Sequence, residues 1–271
     1  MRRLNVLKIF LFLTFLSPSL SAFAEAISLI SDVDDTVRVS HTNSFGSIGR
    51  VLWGSNAFAG MPLLYQRLLS DRNEYQRKHM YFVTGSPDLL YANVSGFLST
   101  HGFPSYELYM KPIVGSKSLQ EFKESSVREI MAAWPKQDRV IFFGDNTQSD
   151  QAVYANIKQE RPAQVLASYI HQIKEKDVLQ GTPFYTAMDI ALFEEQAGRL
   201  NVDDLLAILE DLLMTDSYEL IIPEYAACPK TEWLSKILAN SNANTSNLVG
   251  APLAELERNI LQFCKDRKQE D

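Results

Sequence analysis

Three carboxylates, Asp32, Asp34 and Asp35, fall within four positions directly after the short apolar run at residues 27–30. An apolar run of that length bounded by polar residues reads as a buried strand. The acids then occupy the loop just past its carboxyl end, where open α/β sheets place their ligands. Asp32 and Asp34 are two apart, so one turn of backbone can aim both at a single point. Carboxylates so close repel, and without a cation one of them would keep its proton. A divalent metal resolves the repulsion, and oxygen ligands of this kind suit Mg²⁺. Two plainer readings compete. A calcium-binding EF-hand loop counted from Asp32 needs Gly at its sixth position and Glu at its twelfth, where this chain has Val37 and Asn43, so that reading fails. A helix-capping cluster accounts for the motif alone about as well as a metal site does.

The elements that must position these acids favour chemistry over capping. A helix is expected from Gly60-Met61-Pro62, carrying Leu63, Leu64, Leu68 and Leu69. A second buried strand spans residues 78–84 and stops at Thr84-Gly85-Ser86-Pro87. An amphipathic helix with Leu89, Val94 and Leu98 follows, then a third strand at 106–110. A helix over 118–134 leads to a fourth strand at 139–143, closed by Gly144-Asp145 and, five residues on, Asp150. A short helix at about 151–159 and a fifth strand at 163–170 complete the alternation. Strands alternating with helices imply a parallel, doubly wound α/β sheet with right-handed crossovers. Loops bearing Asp32 and Asp34, Thr84 and Ser86, and Asp145 and Asp150 then share one sheet edge, although they lie more than a hundred residues apart. Capping cannot account for that convergence. Ser86 followed by Pro87 reads by itself as a helix cap and first helical residue.

The rest of the 271-residue chain sets the context. Residues 1–24 begin with Met1-Arg2-Arg3, contain an apolar core at 9–16 and end in Ala22-Phe23-Ala24. This predicts a secretory signal peptide cleaved before Glu25; the alternative is an uncleaved anchor, for which the apolar stretch is short and broken by Pro18. No later segment is expected to cross a membrane. The protein should therefore be secreted across the inner membrane, to a periplasmic or extracellular location. Removing Arg2, Arg3 and Lys8 from the 26 basic residues leaves 23 against 33 acidic ones, a formal charge of −10. That balance argues against a nucleic-acid partner and against a general pull toward anionic lipid. The two cysteines, Cys228 and Cys264, can form a disulfide in an oxidising compartment. Residues 37–59 read as an irregular insert whose Phe45, Ile48, Trp53 and Phe58 either fold back on the core or meet an apolar substrate. From residue 176 the pattern turns helical, with helices at 184–198, after the capping Asn201, and at 252–267, and an Asn/Ser-rich linker at 240–250. The expected organisation is a signal peptide at 1–24, a catalytic core at 25–175 and a helical extension at 176–271.

Asp32-Val33-Asp34-Asp35-Thr36, the strand-terminal Thr84, a helix lysine, and Gly144-Asp145 with Asp150 resemble the four motifs of the haloacid dehalogenase superfamily of aspartate-nucleophile phosphatases. Ser31 to Thr36, Gly60-Met61, Phe103-Pro104, the spacing from Lys123 to Trp134-Pro135, and Arg161-Pro162 resemble, more narrowly, the catalytic domain of the actin-patch-associated phosphatidate phosphatase family of yeast and its bacterial relatives. The resemblance covers roughly residues 27–175. It implies a Rossmann-like sheet with a small insert after the first strand. It also implies a phosphomonoester hydrolase working through an aspartyl-phosphate. Asp32 would be the nucleophile and Asp34 the general acid and base. Mg²⁺ would be held by Asp32, Asp145 and the backbone carbonyl of Asp34, with Asp150 helping directly or through a water. Thr84, the Gly85 N–H and a lysine would hold the phosphate; Lys123 has the family's spacing, with Lys117 and Lys111 as fallbacks. The substrate implied is phosphatidate or another lipid phosphate at a membrane surface. Rival expectations are a phosphatase for soluble phosphomonoesters or phosphoproteins, a phosphotransferase, and a catalytically silent binding domain. Two departures stand out: Thr84 where relatives usually have Ser, and His171 where they often have Arg. His171 is accordingly left out of the expected site.

Overall fold

The structure, a computed structural model, describes residues 26–40, 56–70 and 77–270. The leader at 1–24 and the insert residues Phe45, Ile48 and Trp53 lie outside these. Six strands form one parallel sheet: β1 (Ala26–Ser31), β2 (Arg77–Pro87), β3 (Glu107–Lys111), β4 (Arg139–Asp145), β5 (Val165–His171) and β6 (Thr182–Phe184). Their order is β3-β2-β1-β4-β5-β6. The chain winds outward from β1 in one direction and then returns to wind in the other. The switch therefore falls between β1 and β4, which places Asp32 and Asp145 side by side at the crevice where such sheets bind ligands. The architecture is the doubly wound α/β sheet expected from the alternation.

Both faces of the sheet are covered, which is why its strands read as nearly continuous apolar runs. Successive side chains alternate between the faces. Ile30, Phe142 and Val140 meet Phe122, Val127, Met131, Val153 and Ile157 from α3 (Leu119–Ala132) and α4 (Asp150–Glu160). Ile27, Leu29, Phe82, Ile141 and Phe143 face the other way. There they meet α1 (Met61–Leu68), α2 (Tyr91–Thr100) and residues from the far end of the chain. Those later residues include Met188 and Leu192 of α5 (Ala187–Gln196), Leu205 and Leu212 of α6 (Val202–Leu213), and Leu253, Leu256 and Ile260 of α8 (Ala243–Glu270). Between them lies the short α7 (Trp233–Leu238), whose Leu234 N–H bonds Glu257 of α8 at 3.0 Å.

Two expectations fail here. The helix expected from residue 184 starts at Ala187, and Phe184 instead ends β6, an unexpected three-residue edge strand containing Pro183; an edge is where a strand tolerates proline. The Asn/Ser-rich stretch at 240–250 is no linker. Asn242 accepts the Thr245 N–H at 2.9 Å, and α8 runs unbroken from Ala243. Val249, Leu253, Leu256 and Ile260 bury one stripe of that helix, and packing overrides the weak local propensity. Cys228 and Cys264 are joined by a disulfide, which ties α8 to the loop before α7.

Candidate active site

β1 delivers Asp32 to the switch point, and the Asp32 N–H still bonds the Phe143 carbonyl of β4 at 2.9 Å. The chain then hooks sharply. The Val33 carbonyl accepts the N–H groups of Val37 and Arg38, both at 3.0 Å, and Asp35 sits in the left-handed region at φ 59°. That conformation is uncommon outside glycine, and the hook holds it with several bonds. Asp35 Oδ1 accepts hydrogen bonds from Ser40 Oγ at 3.0 Å and Tyr225 OH at 2.9 Å. Asp35 thus anchors the hook through Ser40 and Tyr225.

Lys123 reaches the same point from α3. A capping box starts that helix: Ser118 Oγ accepts the Glu121 N–H, and Glu121 Oε2 accepts the Ser118 N–H. Lys123 lies on the helix's buried stripe with Val127, Ile130 and Met131. Its Nζ stands 3.0 Å from Asp32 Oδ1 and donates to Asp150 Oδ1 at 2.6 Å. Burial opposes the charge on this ammonium, but the carboxylates of Asp150, Asp32 and Asp145 outweigh it and hold the pKa above its ordinary value. The fallback Lys117 is exposed and bonds Ser125 Oγ instead.

Asp145 ends β4, and Asp150 opens α4 directly behind it. Asp150 Oδ2 accepts the Asp145 N–H at 3.2 Å, and Asp145 Oδ1 accepts the Thr147 N–H at 2.5 Å. Gly144 makes this packing feasible, because a Cβ there would fall 2.5 Å from the Asp150 Cβ and 2.8 Å from its Cγ. The carboxylates of Asp32, Asp145 and Asp150 each bring an oxygen within 4.8 Å of the others, and all three are buried. Three carboxylates against one ammonium leave two negative charges, the charge one divalent cation cancels. Asp145 Oδ2 is buried with no hydrogen bond; Asp32 Oδ1 has none either and faces Lys123 without hydrogen-bond alignment. Burial, followed by repulsion from Asp150, pushes Asp145 up to about 7 against the opposing pull of Lys123 and the Thr147 hydrogen bonds. Burial likewise raises Asp32 well above the usual carboxylate range; Lys123 opposes this, while Asp150, Asp145 and Asp34 add to it. Orphaned buried oxygens on hard carboxylate ligands fit a divalent metal.

The Asp34 carboxylate is outside that group of three. Oδ2 accepts a 2.6 Å hydrogen bond from Ser86 Oγ, and Oδ1 lies 4.0 Å from an Arg38 guanidinium nitrogen. Burial raises its pKa, against the Ser86 hydrogen bond and the charge of Arg38. Ser86 is therefore not a helix cap: the short helical turn Asp88–Leu90 starts after Pro87 without any side-chain cap. Thr84 is buried at the end of β2, and its Oγ1 accepts the Ser86 N–H at 3.1 Å, so its own proton remains available to donate. A Cβ on Gly85 would meet Leu119 at 2.7 Å, so glycine lets this loop lie against the start of α3.

Several residues of the surroundings escaped the sequence. Arg38 is 1 % exposed, donates to Asn93 Oδ1 at 2.9 Å and lies over the Phe97 ring at 5.2 Å. Asn146 pins the β4 loop to the segment after β5 by accepting the Ile173 and Lys174 N–H groups. Nothing near Tyr225 announces a partner 190 residues away. His171 packs between Phe184, stacked at 4.7 Å, and Phe58, edge-on at 4.6 Å. Its Nδ1 lies 2.8 Å from the Asp35 carbonyl, and burial lowers its pKa to about 4, so a neutral ring donating from Nδ1 fits. It supports the hook from behind, and Phe58 of the insert folds back on the core.

Residues 27–172 match the family model described as phosphatidate phosphatase APP1, catalytic domain. The span contains Asp32, Asp34, Thr84, Gly85, Lys123, Asp145 and Asp150. No curated protein matches the chain.

Proposed function

The chain belongs to the family of the APP1 phosphatidate phosphatase catalytic domain, and from that premise we propose a metal-dependent lipid phosphate phosphatase of the haloacid dehalogenase type. The observation that carries the reading is the Lys123 ammonium, held between Asp32 and Asp150 beside the orphaned Asp145 Oδ2. Asp32, Asp145 and Asp150 would hold Mg²⁺, with the Asp34 backbone carbonyl as a further ligand. Bound there, the metal would offset repulsion between the anionic nucleophile and the phosphate. A carboxylate oxygen of Asp32 forms a bond to phosphorus as the bond to the leaving alkoxide breaks. Asp34, whose burial favours the protonated form against the Ser86 hydrogen bond and Arg38, would give that alkoxide its proton. Water then attacks the aspartyl-phosphate, Asp34 takes the water's proton, and phosphate departs with Asp32 restored. Thr84 Oγ1, the Gly85 N–H and Lys123 hold the phosphoryl oxygens through the transfer.

The substrate class rests on the family's description, with phosphatidate as the first candidate. No described helix is long and apolar enough to cross a membrane, so the chain would meet its lipid from the aqueous side. We also place the protein in an oxidising compartment, the periplasm or beyond. The leader-like residues 1–24 and the disulfide between Cys228 and Cys264 support that location. The test is phosphate release from phosphatidate in mixed micelles and from soluble phosphomonoesters, with Mg²⁺ and with chelator. Metal-dependent release from the lipid that vanishes in Asp32→Asn is expected. Release that survives Asp32→Asn would overturn the nucleophile, and release only from soluble esters would overturn the substrate.

A further inference from the structure

Seven large apolar side chains are strongly exposed among the described residues, and four of them follow the ends of two neighbouring strands. Leu89 (73 % exposed) and Tyr91 (55 %) follow the end of β2; Ile113 (57 %) and Val114 (90 %) follow the end of β3. β2 and β3 are parallel neighbours that pair Pro87 with Lys111, so the two tips rise from adjacent strands on the sheet edge that carries Asp32. The first tip begins three residues after Ser86, whose hydroxyl bonds Asp34. Clustering of this kind beside a catalytic crevice is not the scattered exposure of an ordinary surface. Two ammonium groups bracket the second tip, with Glu121 and Glu129 close to the same lysines. Residues 111–117 hold Lys111 and Lys117 and no acid, with Asp88 the lone acid between Pro87 and Tyr91, whereas the chain as a whole carries 33 acidic to 26 basic residues. Beside the second tip lies a groove of about 460 Å³ lined by Tyr109, Lys111, Pro112, Lys117, Phe122 and Glu129. Apolar tips flanked by ammonium groups match the chemistry of an anionic bilayer surface, with acyl boundary below and phosphate above.

We propose that Leu89, Tyr91, Ile113 and Val114, with Lys111 and Lys117, form a docking surface that seats the mouth of the site on an anionic membrane. The proposal builds on the lipid phosphate reading above and concerns how the enzyme reaches its substrate rather than how it cleaves it. Docking would present a headgroup to Asp32 without extracting the lipid. It also confines membrane attraction to one patch of an otherwise acidic chain.

The test separates docking from turnover. The protein as processed by the producing cell is sedimented with vesicles of phosphatidylcholine, alone or with about a third phosphatidylserine, an anionic lipid that carries no phosphomonoester. Wild type should partition to the serine-containing vesicles. Leu89→Asp with Val114→Asp should lower that partition by about tenfold or more, since each buried apolar side chain is worth roughly an order of magnitude. Lys111→Gln with Lys117→Gln should lower binding to the anionic vesicles alone. Both double variants should keep the wild-type melting midpoint, and Leu89→Asp with Val114→Asp should keep the wild-type rate on a water-soluble phosphomonoester. Vesicle binding unchanged in the Asp variant, or absent from wild type, would overturn the proposal. So would self-association of wild type that the Asp variant abolishes without any vesicle binding. If no ester is hydrolysed at all, the phosphatase reading fails while the sedimentation still decides the docking surface.

Discussion

Lys123 shows how far a single residue can organise this site. Its ammonium is 2 % exposed and faces two carboxylates at 3.0 and 2.6 Å, so removing it leaves buried like charges uncompensated. Breaking one side of a buried ion pair typically costs about 3–5 kcal/mol. Lys123→Met should lose stability of that order by chemical denaturation in chelator and recover part of it when Mg²⁺ is added; a neutral effect in both conditions would contradict the assignment. Asp145 sets a pH dependence of defined sign. Its pKa rises from the usual 3.8 to about 7, so the folded protein holds that proton more tightly than the unfolded chain. Its ionisation therefore costs stability, with no cost below about 4, a growing one between 4 and 7, and the full cost above 7. Thermal melts in chelator should show this loss as pH rises through that window, and saturating Mg²⁺ should raise the midpoint more at pH 8 than at pH 5. An equal metal effect at both would count against Asp145 as a ligand. Ser86 is a third case, because a serine before a proline in the sequence looks like a cap, and only the fold shows its hydroxyl on Asp34. Ser86→Ala should slow turnover by about tenfold, the worth of one hydrogen bond to a charged group, with little change in melting. A stability loss without a kinetic one would restore the capping role.

At the scale of elements, legibility followed how local the forces are. β1, β2 and β4 were readable because both of their faces are buried, which leaves apolar runs ending abruptly in polar loops. α3 was readable from its box of Ser118 and Glu121 and its apolar stripe. β6 and the start of α8 were not, since a three-residue edge strand and an Asn-rich helical turn gain their stability from distant partners such as β5 and Glu195. The same contrast runs through the site. Asp32, Asp34, Thr84, Asp145 and Asp150 stood out as polar residues at strand ends, Lys123 only through the spacing of the family it resembles, and the fold brings them to one crevice. Arg38, Asn93 and Tyr225 had no such contrast with their neighbours. The junction of β4 and α4 yields the sharpest test at this scale. Gly144 is the residue that lets the first turn of α4 close over β4, and a methyl group there would strike the Asp150 carboxylate at 2.8 Å. Gly144→Ala should push Asp150 away from Lys123 and cost about 1–3 kcal/mol of overpacking strain. The Mg²⁺ concentration needed for half-maximal phosphate release should rise at least tenfold. Unaltered metal dependence in a folded variant would separate Asp150 from the metal.

Across the whole molecule, the last third of the chain reaches back to the first loop. Tyr225 bonds Asp35, next to Asp34, from a segment that α8 holds in place: Arg267 donates to the Pro223 carbonyl at 2.7 Å and also to Ala226, and Cys264 is bonded to Cys228. The helices α5, α6 and α8 share one core with the strands that carry Asp32 and Asp145. Strain or loosening at the carboxyl end should therefore be felt at the hook that follows Asp32. The disulfide spans 36 residues, and a closure of that length is worth about 2–4 kcal/mol to the folded state. Replacing both cysteines by serine should lower stability by that amount. If the segment serves the site, the same change should also reduce turnover at temperatures well below the new melting midpoint. Tyr225→Phe should then reduce turnover alone, because it removes the hydroxyl on Asp35 and leaves the ring in place. The two effects should not add fully in the triple variant, since both act through the hold on Asp35. Fully additive losses would mean that the disulfide supports the fold without steadying the hook. Unchanged turnover in Tyr225→Phe would mean that Ser40 and the hook's own backbone bonds suffice to fix Asp35.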